Sequence, residues 1–216
     1  FGDFMINYSY IFHFVTALGM VTLFMFVDFN TISPGANDNL TGTYAAVCAL
    51  RMLDMAGVDF ENTEVCAMIT DGEEAGLRGC KSWAKNHYDE YVNSGVETVV
   101  LCVDTLTDRE YLRVYNKDMT GTVKNNQQFS QLVMDASKDA GHDDIELSSV
   151  FFGSSDAAAF SQAGITATCL AAMDPRPADY YHNRRDTADR LVPETIKTGF
   201  DVIISTILNF DEKGLN

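Results

Sequence analysis

Five side chains carry types and spacings that permit chemistry: Asp38, Glu73, Glu74, Asp104 and His182. Asp38 lies in Ser33-Pro34-Gly35-Ala36-Asn37-Asp38-Asn39, Glu73 and Glu74 in Asp71-Gly72-Glu73-Glu74, Asp104 ends an apolar run from Thr98, and His182 closes Tyr180-Tyr181-His182. Function in an α/β sheet collects at the carboxyl ends of strands, so four such ends would bring carboxylates and an imidazole to one rim. Like charges crowded in a cleft raise one another's pKa unless a cation sits among them. Carboxylate plus imidazole ligation suits a divalent ion, zinc first, with manganese or cobalt as alternatives. Taken singly each residue is a weak signal, because a chain with 31 Asp and Glu places some at strand ends by chance. Their joint occurrence, each in its own turn context, makes the site.

The elements that must position these groups alternate between short apolar runs and helical periods, the pattern of an α/β protein. Helices are predicted over Thr41–Met55, Leu77–Tyr91, Gln127–Ala140, Asp156–Ala163 and Pro193–Phe210, and strands over Glu64–Thr70, Thr98–Asp104 and Ala167–Ala172, with Tyr111–Tyr115 as a short edge strand. The expected architecture is a three-layer α/β/α sandwich around a mostly parallel mixed sheet. Tyr8 to Val27 is twenty residues without a charge, the length of a membrane span. No Lys or Arg precedes Arg51, and the run is rich in aromatic and β-branched residues, so two buried strands, Tyr8–Val15 and Met20–Asp28, are preferred and membrane association is not expected.

The 216 residues fit a single domain, 1–216. A net charge of −16, with 15 basic against 31 acidic residues, excludes nucleic acid as a partner. The five cysteines, Cys48, Cys66, Cys80, Cys102 and Cys169, form no CxxC pair and read as small buried hydrophobes. His13, amid Ile11, Phe12, Phe14 and Val15, reads as a core residue, and His87 and His142 show no ligand context.

Four blocks, Ser33 to Gly42, Asp71 to Cys80, Ser155-Asp156 with Ala163-Gly164-Ile165, and Tyr181-His182-Asn183-Arg184-Arg185-Asp186-Thr187, resemble the signature blocks of the M28 family of zinc aminopeptidases in order and interval, over about residues 20 to 210. The resemblance implies a peptide substrate with a free N-terminus and one or two Zn2+ per chain. Asp38 matches the carboxylate that bridges two zinc ions, Glu74 and His182 share one zinc, Asp104 binds the other, and Glu73 matches the general base. Asp28, Ser155, Asp156 and Asp186 match supporting positions. The chain departs from the family at Phe26, where a histidine of a His-x-Asp motif is expected before Asp28, and at Ala157, where a histidine often follows Ser-Asp. One zinc site then keeps Asp38, Glu74 and His182, and the other only Asp38 and Asp104. A one-zinc enzyme, a replacement imidazole from His13, and a different register in the first thirty residues are the three explanations.

A metal-dependent aminopeptidase is the leading expectation. Glutaminyl cyclase chemistry on the same fold and a non-catalytic M28-like binding domain are its rivals. The sequence shows no recognisable targeting signal, which favours a cytoplasmic location. Because the chain starts with Phe1, the expectation includes a missing N-terminal part and leaves secretion open.

Overall fold

A computed structural model describes residues 2–26, 31–176 and 178–215, with the side chains of all of these except 2–7 and 26. Its helices are α1 (Gly2–Phe26), α2 (Gly42–Met55), α3 (Arg78–Tyr91), α4 (Gln127–Asp139), α5 (Asp156–Gln162) and α6 (Pro193–Lys213). Its strands are β1 (Val99–Asp104), β2 (Leu112–Asp118), β3 (Val123–Lys124), β4 (Leu147–Ser149) and β5 (Thr166–Ala172). β5 runs parallel to β1 on one side and antiparallel to β2 on the other, and β2 also pairs with β3 antiparallel and with β4 parallel.

β5 shows why the sheet is covered on both faces. Successive side chains of a strand point to opposite faces. Ala167, Cys169 and Ala171 meet Cys80 and Ala84 of α3 and Phe160 of α5, whereas Leu170 and Ala172 meet Ala45 and Ala49 of α2, Phe129 and Val133 of α4 and Val202 of α6. The result is the expected α/β/α sandwich about a mixed sheet. Small residues on β5 let the flanking helices approach closely, and Thr168, fully buried, is satisfied by a 2.8 Å hydrogen bond with the Ser130 hydroxyl.

Local chemistry sets the helix starts. Asn126 caps α4 by accepting the Phe129 N–H at 2.9 Å, Ser155 caps α5 by accepting the Ala157 N–H, and Pro193 occupies the first turn of α6, where a missing N–H costs nothing. These starts agree with the predicted ones to within a residue.

Several expectations are corrected. Residues 8–15 and 20–26 are not a hairpin: they belong to the single helix α1, and residues 27–28 of the second predicted strand lie outside the described residues. An uncharged apolar run satisfies either element when no period distinguishes them. His13 is consequently exposed on α1 instead of buried in a core. Residues 64–70 form no regular element and pair with no strand among the described residues, and Ile69 is exposed. The strand expected at Tyr111–Tyr115 is β2, displaced to Leu112–Asp118, and it is an interior strand with three partners, not an edge. Cys48 and Cys66 are exposed, Cys102 is half-buried, and Cys80 and Cys169 alone are buried as expected.

Candidate metal centre

Three turns bring the site together. Residues 36–41 form an irregular turn leading into α2, entered through Gly35 in the left-handed region at φ 67°, and the Asp38–Asn39 peptide is cis. Two carboxylates act at this turn in different ways. Asp186, 1% exposed, accepts the N–H of Asn37 at 2.8 Å with Oδ1 and that of Asp38 at 2.9 Å with Oδ2, so the loop after His182 fixes the backbone that carries Asp38. Asp38 itself keeps its carboxylate free for the site. On the other side, Asn39 donates to the Val103 carbonyl and accepts from Gly42 and Thr105, tying the same turn to the end of β1.

Glu73 and Glu74 sit in a compact turn that leads into α3. The Glu73 carbonyl accepts from Gly76 at 2.9 Å and Leu77 at 2.7 Å, and the Asp71 carbonyl accepts from Gly79 at 3.1 Å. A Cβ on Gly79 would lie 2.2 Å from the Asp71 oxygen, so only glycine lets the loop close against the helix.

Asp38, Glu74 and His182 converge. His182 Nε2 lies 3.1 Å from Asp38 Oδ2 and 2.8 Å from Glu74 Oε1, and one donor atom from each residue falls within 4.8 Å of the other two. His182 adopts a left-handed backbone, φ 53°, uncommon for a residue with a Cβ, and its ring stacks on Tyr181 at 3.7 Å and 19°. The two carboxylates hold the imidazole proton tightly, raising His182 to about 10. That proton occupies the position a cation would take.

Glu73 borders this cluster. Burial first, then the charges of Glu74, Asp156 and Asp38, raise its carboxyl to about 7. Asp104, at the end of β1, is also raised, by burial and then by Asp38 and Glu73, and its Oδ1 is buried without a hydrogen-bond partner. Asp104 does not join the three-donor group. Asp156 receives the Thr70 hydroxyl at 2.9 Å through Oδ2, leaving Oδ1 buried and unpartnered. Asp28 lies outside the described residues, as does the Phe26 side chain. His13 Nδ1 is engaged with the Ser9 carbonyl at 2.6 Å, and His13 is not part of the group.

The donor set fits a zinc ion. Two carboxylate oxygens and one imidazole nitrogen are ligands of the right hardness, close enough for small side-chain rotations to place all three at about 2 Å from one ion with a fourth position open. The unpartnered Asp104 oxygen and the mutual repulsion of four carboxylates are further signs of a place built for positive charge.

Sequence reading missed two supports. Asp118, fully buried, accepts the Ser155 N–H at 3.0 Å and its hydroxyl at 2.5 Å, fixing the start of α5 and hence Asp156. The signal was its place at the end of β2, hidden because the strand runs three residues beyond the apolar stretch. Tyr180, hydrogen-bonded to Asp108 and, at 3.3 Å, to Asn37, links the His182 loop to the loop before β2. No sequence spacing connects residues so far apart.

A mixed sheet flanked by helices, with a metal-type cluster at one rim built by loops, defines a zinc-exopeptidase-like fold. The Peptidase family M28 profile matches residues 20–207, and the chain belongs to that family. It is 27% identical over 194 residues to Aminopeptidase YwaD of Bacillus subtilis (strain 168), a match covering 81% of this chain and 37% of that protein. Among solved structures it resembles the zinc aminopeptidase BSAP from Bacillus subtilis (TM-score 0.61, 22% identity, 81% of this chain, 42% of the other) and the LapA aminopeptidase of Legionella pneumophila (TM-score 0.67, 16% identity, 84% and 48%). A glutaminyl cyclase from an Acidobacteriales bacterium shares the fold at TM-score 0.51 and 18% identity, covering 64% of this chain and 47% of that one. The chain spans less than half the length of each of these relatives.

Proposed function

We propose that this chain carries the catalytic centre of a zinc aminopeptidase in which Asp38, Glu74 and His182 hold one zinc ion and Glu73 is the general base. The observation that supports this reading most is the convergence of Asp38 and Glu74 on one imidazole nitrogen, with Glu73 raised to about 7 beside them. Zinc, when bound, supplies a Lewis acid that polarises a carbonyl and lowers the pKa of water. Glu73 accepts the proton of the attacking water at its carboxylate and delivers it to the leaving nitrogen, a role suited to a carboxyl that titrates near neutrality. Asp186 holds Asp38 in place through two backbone hydrogen bonds, and Tyr181 orients the His182 ring by stacking. The acidic wall of Asp38, Glu73, Glu74 and Asp104 attracts the ammonium group of a free peptide N-terminus, which supports cleavage from that end.

The test is elemental analysis of protein purified without chelator, beside Asp38→Ala and His182→Ala variants, combined with product analysis on peptides bearing N-terminal Leu or Gln. About one zinc per chain, absent from both variants, with release of the first residue, is the expected result. Cyclisation of the Gln peptide without release overturns the aminopeptidase reading in favour of a cyclase. Failure to bind zinc even when it is supplied overturns the enzyme reading in favour of a binding domain.

A further inference from the structure

We propose that α1 spans a lipid bilayer and tethers the rest of the chain to it. Membrane association was not expected while the apolar run was read as a buried hairpin, but as a helix it has no place in the core. Every described side chain of α1 is exposed, and none takes part in either hydrophobic cluster. The exposure includes Phe12, Phe14 and Leu18, and at the far end the consecutive Leu23, Phe24 and Met25. Successive helical residues point about 100° apart, so α1 is apolar around its whole circumference instead of along one stripe. A helix covered by another protein element needs one apolar face, whereas one apolar all round matches an isotropic hydrocarbon solvent.

Length and polar satisfaction point the same way. The 25 residues of α1 are about 37 Å long at 1.5 Å per residue, against a hydrocarbon core of about 30 Å. The window Tyr8–Met25 alone is apolar enough to cross. Hydrocarbon offers no hydrogen-bond partners, so polar groups inside it must be satisfied within the helix. Three described ones in α1 are: Thr16 Oγ1 donates to the Phe12 carbonyl at 2.8 Å, Thr22 Oγ1 to the Leu18 carbonyl at 2.8 Å, and His13 Nδ1 lies 2.6 Å from the Ser9 carbonyl. No Lys or Arg lies between α1 and Arg51, so this flank carries no orienting charge, which leaves the tendency to partition unchanged. Asp38 follows Phe26 by twelve positions, a reach of at most about 43 Å, which bounds the distance from the metal centre to that end of the helix.

The test is cell-free synthesis of the full chain with phosphatidylcholine vesicles, followed by flotation through a density gradient and an alkaline carbonate wash. The chain is expected to float and to remain with the vesicles after the wash. A Phe14→Lys/Leu18→Lys double variant is expected to reduce the floating fraction by at least about tenfold, because lysine at mid-helix is strongly disfavoured in hydrocarbon. Tyr44→Lys, on the exposed side of α2, is expected to leave flotation unchanged. Equal circular dichroism signals from the domain in all three proteins show that folding is not the variable. A chain that stays at the bottom of the gradient, is stripped by carbonate, or floats equally well as the double variant overturns the proposal. So does a membrane fraction from cells whose intact mass shows that α1 has been removed.

Discussion

The Asp186 carboxylate grips the backbone of Asp38, accepting the Asp38 N–H at 2.9 Å and the neighbouring Asn37 N–H at 2.8 Å from a position 148 residues away in the chain. One end of this interaction carries a predicted metal ligand, and the other lies four residues after His182, so the loop that delivers the imidazole also shapes the turn that delivers the carboxylate.

Asp186→Ala leaves two buried N–H groups without an acceptor, at a cost of about 2–5 kcal/mol in folding stability. Zinc affinity is expected to fall about 10–100-fold, the usual consequence of losing a group that orients a ligand. Thermal unfolding and chelator competition measure the two effects. Unchanged zinc affinity in a folded variant would show that Asp38 holds its place without Asp186.

Glu73→Gln retains the shape of the turn and removes the proton acceptor. Turnover is expected to drop about 10²–10⁴-fold with zinc content unchanged. In the parent protein, activity is expected to fall as pH drops through about 7, because Glu73 becomes protonated there. A pH profile flat from 5 to 8 counts against Glu73 as the base.

Zinc must displace the proton that Asp38 and Glu74 hold on His182. Since that proton is retained up to about pH 10, zinc affinity is expected to rise by roughly tenfold per pH unit across the neutral range. The stability of the metal-free protein runs the opposite way. His182 is raised in the folded chain from 6.5 to about 10, so its contribution is full below 6.5 and disappears as pH rises through 10. Glu73, raised from 4.5 to about 7, adds a similar loss between those values. Denaturation in chelator at a series of pH values measures this, and His182→Ala is expected to flatten the curve in the upper window.

Gly79→Ala puts a methyl group 2.2 Å from the Asp71 carbonyl oxygen, against backbone atoms, with no flexible side chain to yield. A destabilisation of about 1–3 kcal/mol is expected. Because the strained contact lies in the turn that carries Glu73 and Glu74, zinc affinity and stability should fall together. Loss of stability alone would mean that the turn moves as a rigid unit.

Much of the architecture was legible because its signals are local. α4, α5 and α6 start where the sequence places them, and β1 and β5 are dense apolar runs, β5 buried and β1 half-buried. β3 and β4, two and three residues long, are too short to show a period. The end of β2 was misplaced because Asn116 and Lys117 break the apolar run while the hydrogen-bonded ladder continues past them. That displacement hid Asp118. Residues 64–70 have the composition of a strand, but strand formation depends on a partner's backbone groups, which composition does not report.

By itself, the sequence determined the inventory of the site: which residues can bind a metal, and the turns in which they stand, since glycine, proline and side-chain chemistry act over a few residues. Only the tertiary structure decided which of them meet. It brings donor atoms of Asp38, Glu74 and His182 within 4.8 Å of one another, sets Asp104 beside that group but not in it, and joins Asp186 to Asp38. It also turned an apolar segment read as two core strands into one exposed helix. Both outcomes have one physical reason: burial and ligation are relations between segments distant in the chain, and an apolar run fits any environment that excludes water until the fold provides one or withholds it.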